Sequence, residues 1–384
     1  MITLNKEKAT FGLLCFLPFL AFLSLGFYSY PIISRALLLI EGAVFFLILL
    51  LNASLIGKWH RWAILGLNAV SVAITLILHS GIGVALAFFN LFVAILIFNN
   101  LALTVEKKRF LHFLTAVLLL FFYVLSNFGR LYGRITMRDF RGYFLNSNVV
   151  GMLLLALLFH AFNYVNSLEI DQKKKNQWLI TVTATLGYII ILSWCRSAII
   201  SLAAFLGLLA LVRFYKKPIT YAHYKIVSLM ILVASILFTI VYVYLSYHMS
   251  DLTILNKKLF TGREIVWQSA YGLISETPIF GHGTDVLLNT VGGEKTTSAH
   301  NMLLSFWYTL GVIPMLSTAL LFVNRSRKDV EYKRDRITQF ALIASLFICF
   351  FESFYADPNL QIFFSLLLLS NIKTADAVDK EKNK

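Results

Sequence analysis

Apolar residues along this chain gather in long runs broken by short polar connectors. A helix needs roughly 20 such residues to cross a bilayer. On that template spans are predicted near 10–28, 32–56, 62–79, 82–104, 110–126, 148–166, 177–194, 197–214, 224–247, 300–323, 337–355 and 359–372, about twelve in all, the last a short one. One stretch resists the pattern. From Thr261 to Asn301 the chain collects charged and turn-forming residues that no bilayer would admit. Within it the spacing predicts an amphipathic helix over 262–275, with Val266, Ala270, Leu273 and Ile274 on one face. Arg263, Trp267 and Tyr271 follow one another at helical spacing, with Arg263 at the start. Pro278, Gly281 and Gly283 then force a turn, and His300 and Asn301 stand at the mouth of the next span.

Composition agrees with a membrane protein. Of 384 residues 59% are hydrophobic and 14% charged, beyond what a soluble domain carries, and the mean hydropathy is +0.76. The 3 cysteines, Cys15, Cys195 and Cys349, are scattered and form neither a disulfide framework nor a metal site. The first apolar run lacks a small-residue cleavage site, so it is expected to be retained as a span.

A net charge of +15 raises nucleic acid as a partner, but the placement of that charge excludes it. Most Lys and Arg residues lie in alternate connectors: at 6 and 8, 58 and 61, 107–109, 173–175, 213–225, 325–336 and 373–384. The positive-inside rule puts those connectors, and both termini, in the cytoplasm. The loop at 248–299 then faces outward, and residues 373–384 form a cytoplasmic tail on a single membrane domain. Basic residues left outside oppose the orienting rule. They concentrate in that loop and in 127–147, where Arg130, Arg134, Arg138 and Arg141 recur every three or four residues. Those four either bind an anionic substrate or rest against lipid headgroups. Glu41, inside the second span, and Glu352, near the outer end of the eleventh, are carboxylates at costly depth.

The outward constellation has a recognisable chemistry. Arginines bind phosphate oxygens bidentately and never lose their charge, which suits a diphosphate. Arg263 and Arg196 are the candidates, Arg196 lying in the polar joint Ser193-Trp194-Cys195-Arg196-Ser197 between two spans. A snorkelling side chain is the alternative for Arg196. An imidazole on the same face, His300, can take a proton near neutral pH. Histidines 79, 248, 282 and 300 lack a Cys or carboxylate set at ligand spacing, so neither metal nor cofactor is expected.

Gly262-Arg263-x-x-x-Trp267, Pro278-x-x-Gly281-x-Gly283, Ala299-His300-Asn301 and Gly311 resemble the signature of the O-antigen ligase and Wzy-type polysaccharide polymerase superfamily. The Ser193–Ser197 joint is similar to that family's S-R-S/A element, with Trp194 and Cys195 inserted. Asn146-Ser147-Asn148 is similar to its N-x-N element. The resemblance covers residues 145–325 closely and implies a GT-C-like, all-α architecture. It implies inverting, metal-independent transfer of a glycan from an undecaprenyl-diphosphate donor to an acceptor hydroxyl. By motif position Arg196 and Arg263 would hold the diphosphate and His300 would orient or deprotonate the acceptor. Asn301, Trp267, His282 and Glu352 are further candidate substrate-binding residues.

Polymerases accept a sugar hydroxyl of a second lipid-linked repeat unit, whereas ligases accept lipid A-core or another acceptor. Ligases often carry His-x-His, and Thr297-Ser298-Ala299-His300-Asn301 has one histidine, which favours a polymerase of O-antigen, capsular or exopolysaccharide repeat units. Membrane lipids, a chain-length regulator and a flippase are the other partners expected, in a bacterial cytoplasmic membrane. A transporter of lipid-linked glycans is the alternative from another class. Orientation is the premise of all this: a reporter fused after Lys174 is expected to be cytoplasmic and one after Gly292 external. The reverse at either point would overturn it.

Overall fold

The computed structural model describes residues 5–27, 30–52, 66, 69–70, 73, 82–128, 147–214, 221–249, 253–254, 257–258, 262–283, 286–296, 298–323, 336–348, 350–352, 365–370 and 372–374. The predicted span at 62–79 falls almost wholly outside them, as do Arg130, Arg134, Arg138 and Arg141. What is described is an all-α membrane protein. Among the described residues, four helices are long and apolar enough to cross a bilayer: Lys6–Ser24, Val105–Leu125, Asn148–Ser167 and His223–His248.

The helices before the site are α1 (Lys6–Gly26), α2 (Pro31–Leu51), α3 (Ile82–Asn100), α4 (Val105–Phe128), α5 (Ser147–Ser167), α6 (Gln172–Leu192), α7 (Arg196–Phe214) and α8 (Tyr221–His248). Their starts follow local chemistry. The Asn5 side chain accepts from the backbone N–H groups of Glu7 and Lys8 at 3.2 and 3.3 Å, and Asp171 does the same for Lys173 and Lys174 at the start of α6. Pro31 opens α2, where its missing N–H costs nothing.

The centre of the bundle is α5. Its apolar window is 83% buried, against 28–39% for the other three spans. It packs on α4, α6 and α7, while α1 contacts α2 and α4. Exposed Phe, Leu, Ile and Val on α1, α2, α4 and α8 form the surface a bilayer would cover. Two ionisable clusters sunk in the bundle find partners. Glu41 accepts from Ser365 Oγ at 2.7 Å and lies 3.5 Å from Asn90 Nδ2. His112 and His160 share a 3.0 Å Nδ1–Nδ1 contact between α4 and α5.

Beyond α8 the described residues between 249 and 299 include short strands that hydropathy does not signal. Thr253–Ile254 and Lys257–Lys258 pair antiparallel. Helix α9 (Arg263–Glu276) follows, burying Val266, Trp267, Ala270 and Ile274; of the expected apolar face Leu273 is only partly buried, and Trp267 joins it. Leu288–Asn289 and Lys295–Thr296 form a second hairpin, turned by a 3-10 segment, Val291–Gly293. Then come α10 (Met302–Leu310), α11 (Val312–Val323) and α12 (Arg336–Ile348), with a parallel pairing of Ala102–Leu103 and Lys373–Thr374 at the opposite chain end.

The predicted span at 300–323 is therefore two helices, broken at Gly311. Its backbone sits at φ 92, ψ 178, a region essentially reserved for glycine. The turn at 278–283 is pressed into the break. His282 and Gly283 donate to the Tyr308 and Thr309 carbonyls, both at 2.8 Å, and Val312 donates to the Pro278 carbonyl at 3.2 Å. A Cβ on Gly311 would lie 1.8 Å from the Ile279 oxygen, and one on Gly281 would lie 2.6 Å from Thr309. The Pro278-x-x-Gly281-x-Gly283 motif and Gly311 are thus two sides of one backbone contact. It leaves the turn after α9 clamped against α10.

Gly311→Ala is expected to destabilise the detergent-solubilised protein by roughly 3 kcal/mol, from strained backbone plus overpacking. Gly207→Ala, in α7 with open space around it, should leave the melting temperature unchanged or slightly raised. Thermal unfolding of the two variants side by side is the check.

Candidate active site

Five parts of the fold meet at one cleft of about 330 Å³. The joint between α6 and α7 supplies Trp194, Arg196 and Ser197; the start of α5 supplies Asn148; α9 supplies Arg263 and Trp267; the turn after α12 supplies Phe351 and Glu352. Phe238 and Tyr242 of α8 complete an aromatic wall.

The α6–α7 joint is tight for stated reasons. Ser193 ends α6, and its hydroxyl oxygen accepts from the Cys195 N–H at 3.3 Å. Trp194 adopts the left-handed conformation, φ 57, which reverses the chain and leaves its ring 61% exposed at the cleft. Gly151 on α5 lets Cys195 settle against the helix, since a Cβ there would lie 2.3 Å from the cysteine Cβ. Burial pushes the Cys195 thiol up from its ordinary value, so it stays protonated and serves packing. The two residues inserted into the Ser–Arg element are thus the reversal and its anchor, and Arg196 emerges exposed as the first residue of α7.

Arg263 is likewise the first residue of its helix, after Gly262 at φ 89. Its Nη2 donates to Glu352 Oε1 at 3.2 Å, and Asn148 Nδ2 donates to the same oxygen at 2.6 Å. The other oxygen, Oε2, lies 3.7 Å from His300 Nδ1. Glu352 is only 6% exposed, and it joins one guanidinium, one amide and one imidazole. Arg196 has no ion-pair partner among the described residues.

His300 occupies a left-handed backbone position, φ 48, so it is turned out of line with α10. The residue that caps α10 is Asn301, whose Oδ1 accepts from the Leu304 N–H at 2.9 Å. Its amide nitrogen donates to Ser235 Oγ at 2.9 Å, to the Ser235 carbonyl at 3.2 Å and to the Phe350 carbonyl at 3.3 Å. Asn301 is fully buried, at 0% exposure. It locks α10 to α8 and to the turn that carries Glu352.

Trp267 lines the cleft by one edge and is otherwise buried at 1% exposure. Its Nε1 donates to the Ala299 carbonyl at 2.6 Å, fixing the residue before His300. His282 is not on the cleft wall; its Nε2 donates to the Leu273 carbonyl at 2.6 Å near the end of α9. Nor is His300 on that wall, which it reaches through Glu352. The structure thus brings Arg196, Arg263, Trp267 and Glu352 to one cleft with His300 beside it, and sets Asn301 and His282 to internal bonds. Arg130, Arg134, Arg138 and Arg141 lie outside the described residues. Asn148, Phe238 and Tyr242 are lining residues that the sequence reading did not select. The Asn146-Ser147-Asn148 element was the available signal for the first.

Residues 181–319 match the O-antigen ligase family. The match runs from the second half of α6 to α11 and takes in the α6–α7 joint, α9, the 278–283 turn and His300. It bears out the resemblance carried by those motifs. At a coarse level that family implies a glycosyltransferase-like membrane enzyme acting on lipid-linked glycans. No curated protein matches the chain. Asn148 and Glu352 lie outside the O-antigen ligase region, so the site is completed by residues on either side of it. Among the described residues, no three or more His, Cys, Asp or Glu side chains are grouped as a metal ion would need.

Asn301→Asp separates capping from the rest of this arrangement. Asp is as good an N-cap as Asn, but it cannot donate to two buried carbonyls and would bring a charge to a dry site. A loss of roughly 3 kcal/mol in the solubilised protein is expected, read as a lower melting temperature. A melting temperature equal to wild type would deny Asn301 its locking role.

Proposed function

We propose that this protein polymerises undecaprenyl-diphosphate-linked oligosaccharide repeat units on the outer face of the cytoplasmic membrane. The transfer is inverting and metal-independent, within a GT-C-like membrane fold of about twelve spans. The observation that carries the reading is the pair of guanidiniums, Arg196 and Arg263, on a single cleft beside His300. The two arginines hold the donor's diphosphate. His300 orients the acceptor hydroxyl and takes its proton as the oxygen forms its bond to C1. The C1–O bond to the diphosphate breaks on the opposite face, and the leaving group departs as an anion held by positive charge. An electrostatic donor of that kind is typically worth ~3 kcal/mol. The aromatic wall of Trp194, Phe238, Tyr242 and Trp267 offers flat apolar surface on which sugar rings or the lipid can rest.

The acceptor distinguishes the second reading. Ligation to lipid A-core or another acceptor uses the same donor chemistry, and the matching family is described as O-antigen ligase. The single histidine of Ala299-His300-Asn301 favours the polymerase. Purified protein given only a defined lipid-linked repeat unit should build a ladder of polymers. A single transfer to lipid A-core with no ladder would support ligation, and no transfer to either acceptor would support transport.

The arginine and the histidine should fail differently. Arg263→Lys keeps the charge but loses the planar fork, so it should lose donor binding and most activity, as Arg263→Ala does. His300→Ala should still bind donor but turn over ~100- to 10,000-fold more slowly, the range of general-base assistance. Donor binding and single-turnover rates, measured separately at equal expression, test both. Near-normal polymer from Arg263→Ala would end the diphosphate role, and full activity in His300→Ala would remove it from the site.

A further inference from the structure

We infer that Glu352 is a positioning residue for His300: its carboxylate holds the proton of the imidazole on Nδ1, so that Nε2 carries the lone pair that receives the acceptor's proton. The inference rests on the transferase reading above and gives Glu352 a role other than substrate contact.

The geometry divides the carboxylate into two halves. Oε1 is occupied by Asn148 Nδ2 at 2.6 Å and Arg263 Nη2 at 3.2 Å. Oε2 faces His300 Nδ1 at 3.7 Å. That nitrogen is itself buried and has no hydrogen-bond partner, although the side chain as a whole is 36% exposed. The exposed part of the ring is therefore on the side away from Nδ1. One ring nitrogen is directed at a buried anion and the other edge is open to a ligand. Which nitrogen of a histidine bears the proton is set by the partner of the other, and a buried carboxylate beside Nδ1 favours N–H there. The 3.7 Å separation is longer than a hydrogen bond, as catalytic contacts often are before substrate binds.

The step balances as follows. The acceptor O–H bond breaks, its proton goes to His300 Nε2, and its oxygen pair forms the bond to C1. The pair of the C1–O bond leaves with the diphosphate. His300 is then an imidazolium with Nδ1–H toward Glu352, and it releases the Nε2 proton to water. The Glu352 charge stabilises the imidazolium, the part played by a buried carboxylate in a hydrolase triad. Because Oε1 is bound to Arg263, the same side chain ties the leaving-group cation to the acceptor base.

Glu352→Gln tests this with little change of shape. Two donors converge on Oε1, so the amide oxygen must stay on their side, and the NH2 falls opposite His300 Nδ1. That nitrogen then has to accept, and the ring proton moves to Nε2. In full-length protein labelled with 15N-histidine, the His300 signal, assigned by its loss in His300→Ala, should show Nδ1–H in wild type. It should show Nε2–H in Glu352→Gln. With the lipid-linked repeat unit, kcat of Glu352→Gln should fall ~100- to 10,000-fold with KM for the donor little changed, because the Arg263 contact survives. The double variant with His300→Ala should be no slower than His300→Ala alone. An Nε2–H tautomer in wild type, an unchanged kcat in Glu352→Gln, or losses that multiply in the double variant would each overturn the inference. Wild-type protein that transfers nothing from the donor overturns the transferase reading, and the base role with it, whatever the tautomer.

Discussion

A carboxylate at 6% exposure is tolerable only where donors or cations compensate it. Glu352 draws that compensation from three separate elements. Asn148 comes from the start of α5, Arg263 from the start of α9, and His300 from the bend before α10. Removing one partner of a buried ion pair typically costs ~3–5 kcal/mol, because the other charge is left stranded. One charge therefore ties together the central helix α5, helix α9 and the histidine. Every other feature of the site can be read as serving that junction.

The supports are of two kinds. Backbone contacts that admit no side chain fix the 278–283 turn: Gly281 against Thr309, and Gly311 against Ile279. Fully satisfied polar groups fix the histidine: Asn301 beneath it, and the Trp267 indole on the carbonyl of the preceding residue. Both kinds are rigid and dry. The cleft wall is open by contrast, with Trp194 and Arg196 exposed on a three-residue reversal. On the proposed function, a fixed base beside an open anion site would suit transfer from a large lipid-linked donor, since the donor must enter while the reacting groups keep their geometry.

Much of this was legible in the chain. Hydropathy located the helices because apolar length is a local property, and helical spacing located α9 with Arg263 at its head. The motifs located the residues that approach the cleft. What escaped depends on partners distant in sequence. The run at 300–323 reads as one span, yet its break at Gly311 is imposed by a turn some thirty residues earlier. Asn148 sits in a recognised element, but its bond to Glu352 crosses 204 positions. Asn301 and His282 carry the polarity of substrate ligands, and only the fold reveals that their hydrogen bonds are spent internally. The short strands at 288–289 and 295–296 are too brief and too polar to announce themselves. Trp194 in the left-handed region breaks a local rule, and it does so at the cleft.

The pairing of Arg263 with Glu352 does not disqualify the arginine as an anion ligand. A guanidinium presents five N–H donors in one plane, and a single Nη2 contact holds it to the carboxylate. The remaining donors keep a fixed orientation at a side chain that is still 26% exposed. A carboxylate on one edge therefore acts as a hinge pin, reducing the rotamer freedom that an anion would otherwise have to freeze. Arg196, with no ion-pair partner among the described residues, supplies charge at the open side without that restraint. An ammonium at position 263 would have to choose between Glu352 and a phosphate, because its three donors radiate from one atom. The fork geometry, more than the charge, is what lets one residue belong to both the buried junction and the cleft.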